Sequence, residues 1–137
     1  MIVADTGAIV ALVDADDRHH GPLRRLFEAR PDSWLLPWAI LPEVDYLLAQ
    51  HVGSKAQERF SSDLAAGAWV VEWGDPLDLV RGEELARRHR ALRLGLVDTV
   101  VMAMAERRAA EAIATLDLRH FGAVKLRGSP RLLPRDL

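Results

Sequence analysis

Short apolar runs alternate along the chain with longer stretches in which apolar residues recur every three or four positions. The short runs predict buried β-strands, and the helical period predicts helices that turn one face toward a core. We therefore predict strands over residues 2–4, 34–36, 68–73, 113–116 and 123–126. Helices are predicted over residues 8–13, 22–30, 39–51, 54–66, 75–92 and 95–108.

Capping residues and large apolar side chains refine this pattern. Ser54 is expected to cap the helix that follows it, and residues 127–137 are expected to form an irregular tail because proline recurs there. Leu79 is expected to face inward from its helix. Core packing is also expected for the four tryptophans, which lie in or beside predicted strands: Trp34, Trp38, Trp69 and Trp73.

The alternation of strands and helices predicts the fold class. Strands separated by helices indicate a parallel sheet with helices on both faces. We therefore predict an α/β fold, a three-layer α/β/α sandwich around a central, mostly parallel sheet. At 137 residues the chain is long enough to bury a full core, and no repeat or linker interrupts it. Residues 1–137 are expected to form a single domain.

The helix that begins near Gly95 and the strand that follows it each adjoin an acidic residue. The apolar stripe of this helix consists of Val97, Val100, Val101, Met104 and Ala105. Asp98 lies in the first turn beside the stripe, and Asp117 ends the strand over residues 113–116. An ionised carboxylate at the rim of a core is costly unless another group pairs with it. These two acids therefore need an explanation.

Two further acids occupy equivalent places in the predicted fold. Asp5 follows the first strand, and Glu43 lies in or near the first turn of the helix over residues 39–51. Ligands bind parallel sheets beyond the carboxyl ends of the strands, and a helix that follows a strand begins at that same edge. Asp5, Glu43, Asp98 and Asp117 are therefore expected to converge on one pocket.

A cluster of four carboxylates is tolerable only if protons or cations reduce its charge. Two unit charges ~4 Å apart repel by ~4 kcal/mol at an effective dielectric of ~20. Hard oxygen ligands suit Mg²⁺ or Mn²⁺, which keep several waters and bind phosphates in their remaining positions. A metal ion makes water a better nucleophile, and a second can hold a leaving oxygen. The predicted chemistry is hydrolysis of a phosphodiester.

Each acid also has an ordinary structural interpretation. Asp5 could cap the next helix, and Asp117 could be a turn residue that ends a strand. Glu43 and Asp98 could be first-turn acids that interact with the helix dipole. The combined order and placement of the four acids is what favours a functional site.

Composition bounds the class of protein. Half of the residues are hydrophobic and 28% are charged, as in an ordinary globular protein. Cysteine is absent, which excludes a disulfide scaffold and thiolate zinc sites. No apolar run approaches the ~20 residues of a membrane span, and no signal peptide is visible, so we expect a cytoplasmic protein and no membrane partner. The net charge of −2 predicts no strong long-range attraction to nucleic acid.

Four short motifs together resemble the PIN-domain family, and within it the small VapC-type toxin ribonucleases of bacterial toxin–antitoxin pairs. They are Val3-Ala4-Asp5-Thr6-Gly7, Leu41-Pro42-Glu43-Val44, Leu94-Gly95-Leu96-Val97-Asp98-Thr99 and Ala114-Thr115-Leu116-Asp117-Leu118-Arg119-His120-Phe121. The resemblance spans nearly the whole chain. It implies a PIN-like sandwich, a Mg²⁺- or Mn²⁺-dependent endoribonuclease activity on RNA, neutralisation by a cognate antitoxin, and a homodimer.

The resemblance also assigns roles to individual acids. Asp5, Glu43, Asp98 and Asp117 match the acidic quartet of the family. Asp5 and Asp98 match its surest metal ligands. Glu43 matches a position that completes the metal shell or orients water, and Asp117 matches the usual fourth position. No acid of the quartet is missing, so nothing in the sequence indicates an inactive member.

Neighbouring residues are candidates for substrate contacts. Thr6 and Thr115 match small hydroxyl positions that hydrogen-bond the acids or a phosphate. Arg119 follows Asp117 closely and is a candidate for a phosphate contact, because such contacts favour arginine. A solvated loop residue is the alternative for Arg119. His120 could likewise touch RNA.

Two other classes of function compete with a nuclease. One is a catalytically silent RNA- or protein-binding module on the same fold, in which the acids serve as caps and aid solubility. Metal-dependent cleavage that is abolished by Asp5→Asn would separate this module from an enzyme. The other is an aspartyl-phosphate receiver or phosphatase, which is disfavoured because the second strand ends at Pro37-Trp38, without an acceptor acid.

Overall fold

The computed structural model describes residues 1–137 and contains a five-stranded sheet. The strands are β1 (Ile2–Ala4), β2 (Trp34–Pro37), β3 (Val70–Glu72), β4 (Ala112–Ala114) and β5 (Arg131–Leu133). Their order across the sheet is β3-β2-β1-β4-β5, and every neighbouring pair is parallel. The carboxyl ends of all the strands therefore lie along the same edge of the sheet.

Seven α-helices connect and flank the strands. They are α1 (Thr6–Val13), α2 (His20–Ala29), α3 (Leu41–His51), α4 (Ser54–Ala65), α5 (Pro76–Arg88), α6 (Leu96–Arg107) and α7 (Leu118–Phe121). Helix α1 packs against α2 and α3, and α5 packs against α6, which also contacts β1 and β2. The predicted α/β sandwich is confirmed, and its sheet is parallel throughout. None of the helices has the length and apolar character needed to cross a membrane.

The centre of the sheet is completely buried. All residues of β1 and β4 are inaccessible to solvent or nearly so. A strand that is covered on both faces is apolar at every position, not at alternate ones, which explains the continuous apolar sequence of these two strands. A cluster of 28 buried residues that runs from Ile2 to Leu133 forms the hydrophobic core. This packed centre holds the ends of β1 and β4, which two of the predicted acids follow.

The predicted edge strand over residues 123–126 is wrong, because the edge strand is β5. Val124 and Leu126 are buried at alternate positions, as in a strand, but they pack on the core from an irregular segment. Strand β5 lies in the predicted tail, where Pro130 and Pro134 flank it. Proline is tolerated beside an edge strand, because an edge has fewer ladder hydrogen bonds to satisfy.

Several local predictions also need correction. Gly53, not Ser54, occupies the N-cap of α4, with a φ of 136° that suits glycine. Leu79 is 48% exposed and Trp73 is 75% exposed, so neither side chain belongs to the core. Helix α5 ends at Arg88, and the last predicted residues of this helix form a separate 3₁₀ turn.

Candidate functional site

At the carboxyl edge of β1 and β4 the structure contains an open cavity of about 360 Å³. Its walls are formed by Asp5, Thr6, Gly7, Glu43, Leu47, Asp98, Leu116 and Asp117. All four predicted acids therefore line the same cavity, although they are far apart along the chain. The parallel sheet brings them together, because β1 and β4 are neighbours and the helices that follow the strands begin at this edge.

Asp5 is the best buried of the four acids, with 6% of its surface exposed. Its backbone N–H donates to the carbonyl oxygen of Ala114 at 2.8 Å, which continues the β1–β4 ladder by one residue. Asp5 occupies the N-cap position of α1, but its side chain makes no capping hydrogen bond. The structure therefore does not support the interpretation of Asp5 as a simple helix cap.

A buried hydroxyl group connects two of the acids. Thr115 is 1% exposed, and its Oγ1 donates a hydrogen bond to Oδ2 of Asp5 at 2.9 Å. The same oxygen accepts a hydrogen bond from the backbone N–H of Asp117 at 3.1 Å. Thr115 therefore orients the carboxylate of Asp5 and holds the turn that carries Asp117.

The other three acids lie in or beside the first turns of helices. Asp117 caps α7, because its Oδ1 accepts a hydrogen bond from the backbone N–H of His120 at 3.1 Å. Asp98 lies in the first turn of α6 and is half-buried, and Glu43 lies in the first turn of α3 and is exposed. Asp117 thus caps α7, a role that the sequence analysis did not assign to it, and also forms part of the cavity wall.

The crowding of carboxylates is visible in their pKa values. Burial raises the pKa of Asp5 to about 6, although the hydrogen bond from Thr115 opposes the rise. Burial also raises the pKa of Asp98, and the neighbouring charge of Asp117 adds to that rise. Burial disfavours the charged form of a carboxyl group, and a neighbouring carboxylate disfavours it further.

Thr6 contributes a second unusual feature to the cavity. Its side chain is 3% exposed, and its Oγ1 has no hydrogen-bond partner in the protein. Buried polar groups nearly always have a partner. Thr6 lines the same cavity as the acids, but its hydroxyl oxygen itself is inaccessible to solvent.

The residues present fit a divalent metal ion. Carboxylate oxygens from Asp5, Glu43, Asp98 and Asp117 line the cavity, and such oxygens are the ligands that Mg²⁺ and Mn²⁺ use in proteins. A nearby cation favours the charged form of a carboxyl group. A bound divalent ion would therefore lower the pKa values of Asp5 and Asp98, which burial and the neighbouring carboxylates raise.

Sequence reasoning connected His120 only with RNA and missed its place among the acids. Its Nδ1 lies 2.8 Å from Oδ2 of Asp117 and 3.3 Å from Oδ2 of Asp98. The ligand atoms of these three residues all lie within 4.8 Å of one another. The spacing of Asp117 and His120 could have indicated this contact in the sequence, because residues three positions apart lie on one face of a helical turn.

Arg119 and Asp45 lie near the site, and neither contacts its acids. Arg119 is exposed on α7 and does not line the cavity wall. Asp45, two positions after Glu43, instead accepts hydrogen bonds from the side-chain amide of Gln57 at 3.1 Å and 3.2 Å. Asp45 is therefore an acid on the same helix as Glu43 with a structural partner of its own.

Comparison with known families identifies the class of protein. The family model described as PIN domain matches residues 2–125. This match covers most of the chain, so the chain belongs to the PIN-domain family, as its four motifs predicted. Strand β5 lies beyond the matched residues but completes the sheet through its pairing with β4.

Individual relatives are similar over almost their full length. Ribonuclease VapC26 of Mycobacterium tuberculosis is 28% identical over 130 residues, which cover 95% of this chain and 96% of that protein. The crystal structure of M. tuberculosis VapC20, described as a sarcin-ricin loop cleaving toxin, has a TM-score of 0.80 at 23% identity and covers 93% of this chain and 98% of its own. VapBC2 from Rickettsia felis, crystallised with a DNA fragment from its promoter, has a TM-score of 0.67 at 17% identity, with coverage of 96% and 97%.

Proposed function

We propose that the protein is a metal-dependent endoribonuclease that acts as the toxin of a toxin–antitoxin pair. The observation that carries this proposal is the cavity in which Asp5, Glu43, Asp98 and Asp117 converge. Membership of the PIN-domain family and similarity to a VapC ribonuclease support it. The substrate is RNA, so we expect the protein to act in the cytoplasm.

In this proposal Asp5 and Asp98 hold Mg²⁺ or Mn²⁺, and Glu43 and Asp117 complete the acidic shell. The bound ion supplies Lewis-acid chemistry, which strengthens water as a nucleophile and balances charge on the phosphate. Thr115 keeps Asp5 in the orientation that its hydrogen bond of 2.9 Å defines. This support matters because a ligand must be fixed closely in place to act.

The remaining polar residues of the site bind the substrate. Thr6 lines the cavity, and a change of rotamer would let its unpartnered hydroxyl donate a hydrogen bond to a phosphate oxygen. Arg119 is exposed on the short helix that follows Asp117, where its planar guanidinium group can pair with an RNA phosphate. These contacts hold the phosphodiester beside the acids.

The test of this function is cleavage of RNA by the purified protein in the presence and absence of Mg²⁺ or Mn²⁺. Asp5→Asn should lower the cleavage rate by about a hundredfold or more, because it removes a ligand whose metal contributes several kcal/mol to catalysis. Asp45→Asn is the matched control, since Asp45 lies outside the cavity and bonds Gln57. Cleavage that survives Asp5→Asn, or that needs no metal, would favour a silent binding module.

We also propose a cognate antitoxin, a homodimer and a single domain. The core cluster that runs from Ile2 to Leu133 supports one domain over residues 1–137.

Three apolar side chains of α5 and of the turn between β3 and α5 are exposed and offer an interface. Trp73, Leu77 and Val80 are 75%, 66% and 63% exposed, and exposed apolar side chains of this kind mark protein interfaces. Light scattering should report a dimer that Val80→Glu weakens, and co-expression of the adjacent reading frame should relieve the toxicity of the protein.

A further inference from the structure

The imidazole ring of His120 stands between two acids of the cavity. Its Nδ1 lies 2.8 Å from Asp117 Oδ2 and 3.3 Å from Asp98 Oδ2, and its side chain is 20% exposed. The contact with Asp98 links α7 to α6, whereas the contact with Asp117 lies within α7 and its N-cap. The ring therefore presents its Nδ1 to the same space as the two carboxylate oxygens.

The three ligand atoms are spaced as neighbouring ligands of an octahedral ion. With metal–ligand bonds of about 2.1 Å, adjacent ligand atoms of an octahedron lie about 3.0 Å apart and opposite ones about 4.2 Å apart. The observed 2.8 Å and 3.3 Å match the adjacent spacing, and all three atoms lie within 4.8 Å. One ion can therefore contact all three residues without a large rearrangement of the backbone.

The position of the ring is fixed by its surroundings. The backbone N–H of His120 donates to Asp117 Oδ1, which ties the residue to the acid that precedes it. The next residue, Phe121, is 3% exposed and belongs to the core cluster, so it anchors α7. Because both neighbouring contacts already hold the backbone of His120 in place, the residue loses little conformational freedom when its side chain binds an ion.

We infer that Nδ1 of His120 is a metal ligand beside Asp98 and Asp117, and that it makes the site prefer Mn²⁺ to Mg²⁺. The inference rests on the proposed function, because Asp98 and Asp117, which His120 contacts, both line the cavity of the acids. Mg²⁺ prefers oxygen ligands, whereas transition-metal dications accept an imidazole nitrogen readily.

Calorimetric titration with MnCl₂ and MgCl₂ measures the predicted preference. The unaltered protein should bind Mn²⁺ more tightly than Mg²⁺ by about tenfold or more. His120→Asn should weaken Mn²⁺ binding by about tenfold while changing Mg²⁺ binding much less, because only Mn²⁺ gains from nitrogen ligation. His51→Asn is the control, since His51 is exposed at the far end of α3, and it should leave both affinities unchanged.

Pulsed electron paramagnetic resonance of the unaltered, Mn²⁺-loaded protein tests for the metal–nitrogen bond directly. The echo decay should show modulation from a directly bound nitrogen-14 nucleus, and His120→Asn should abolish it. A spectrum without nitrogen coupling, or equal affinities for the two metals, overturns the inference and leaves His120 as a hydrogen-bond donor to the acids. RNA cleavage that still requires metal would then preserve the proposed function, whereas failure to bind either metal would overturn both.

Discussion

At the scale of single residues, the acids of the cavity differ most in how well water reaches them. Asp5 is 6% exposed, whereas the side chains of Asp98 and Asp117 are 20% and 36% exposed. Water stabilises the charge of a carboxylate, so the most buried acid has the greatest need of another partner. The hydrogen bond from Thr115 meets only part of that need, because the pKa of Asp5 is still raised to about 6.

The raised pKa of Asp5 predicts how stability depends on pH in metal-free protein. The folded state holds the Asp5 proton up to about pH 6, whereas the unfolded state releases it near the ordinary value of 3.8. The stabilising contribution of the protonated acid is therefore fully present below the unfolded pKa and is lost as the pH rises through the folded value. The total loss is about 3 kcal/mol.

Chemical denaturation in EDTA at about pH 5 and about pH 8 measures this effect. Part of the stability contributed by protonated Asp5 is already lost at about pH 5, and nearly all of the rest should be lost by about pH 8. Asp5→Asn should remove the Asp5 contribution and raise stability relative to the parent at the higher pH. Asp45→Asn should retain the pH dependence of the parent protein. Identical pH profiles for the parent and Asp5→Asn would show that burial does not destabilise the charge of Asp5.

Thr115 gives a second prediction at this scale. Thr115→Val keeps the shape of the side chain but removes the hydrogen bonds to Asp5 and to the N–H of Asp117. The expected loss of stability is about 1–3 kcal/mol, because buried partners are left unsatisfied. Thr99→Val is the matched control: Thr99 is also buried, but its hydroxyl bonds only the Leu96 carbonyl of its own helix. Urea unfolding should show the larger loss for Thr115→Val.

At the scale of elements, α5 and α6 are joined by a close contact and by two ion pairs. Arg107 contacts both carboxylate oxygens of Asp78 at 2.7 Å and 3.0 Å, and Arg81 contacts both of Glu106 at 2.6 Å and 3.0 Å. Asp78 is 3% exposed, so its charge depends on Arg107 for compensation. This pairing fixes the position of α6, which carries Asp98 into the cavity.

Gly82 allows the two helices to approach each other. A Cβ atom at this position would lie 3.0 Å from Oγ1 and 3.1 Å from Cβ of Thr99. Gly82→Ala should therefore destabilise the protein by about 1–3 kcal/mol through overpacking, although alanine favours helix formation. Gly21→Ala is the control, because its nearest neighbour is the flexible tip of Arg25 at 3.5 Å, and it should stabilise by about 0.5–1 kcal/mol. Denaturation midpoints that move together for both variants would contradict the close-contact interpretation.

The strands that the sequence predicted well are those in which every residue is buried. Strands β1 and β4 are covered on both faces, so each is a continuous apolar run with a polar residue close behind it. Strand β5 escaped prediction because its place depends on pairing with β4 and because prolines flank it. The alternation of Val124 and Leu126 is the same in a strand and in a loop that packs two side chains inward.

At the scale of the whole molecule, metal binding should stabilise the fold. A ligand that binds only the folded state at about 100 times its Kd adds about 2.7 kcal/mol, which corresponds to several degrees in the melting temperature of a domain of this size. Scanning calorimetry with increasing MnCl₂ should show this rise in Tm.

Asp98→Asn sharpens the same experiment. It should abolish the response to metal, yet leave the metal-free Tm unchanged or higher, since burial and the charge of Asp117 raise the pKa of Asp98. If the Tm of this variant still rises with metal, Asp98 is not a ligand that the metal needs. A clear loss of metal-free stability would instead favour a structural role at the start of α6.

The cavity could be anticipated from sequence only in part. The order of the strands was not deducible, but any parallel arrangement puts Asp5 and Asp117 at one edge. The place of His120 was missed because a histidine three residues after an acid has many ordinary explanations. The ion pairs Arg81–Glu106 and Arg107–Asp78 between α5 and α6 were equally inaccessible, because a pairing between two helices leaves no periodic signature in the sequence.

The hydrogen bond between Thr115 and Asp5 joins residues that are 110 positions apart. Domains generally fold as units during synthesis, and β1 cannot gain β4 as its neighbour until Ala112–Ala114 have been translated. An incomplete chain therefore carries Asp5 without Thr115 or Asp117. On the proposed function, a nascent chain that has not yet been translated beyond Asp117 lacks the complete set of acids and cannot cleave the RNA around it.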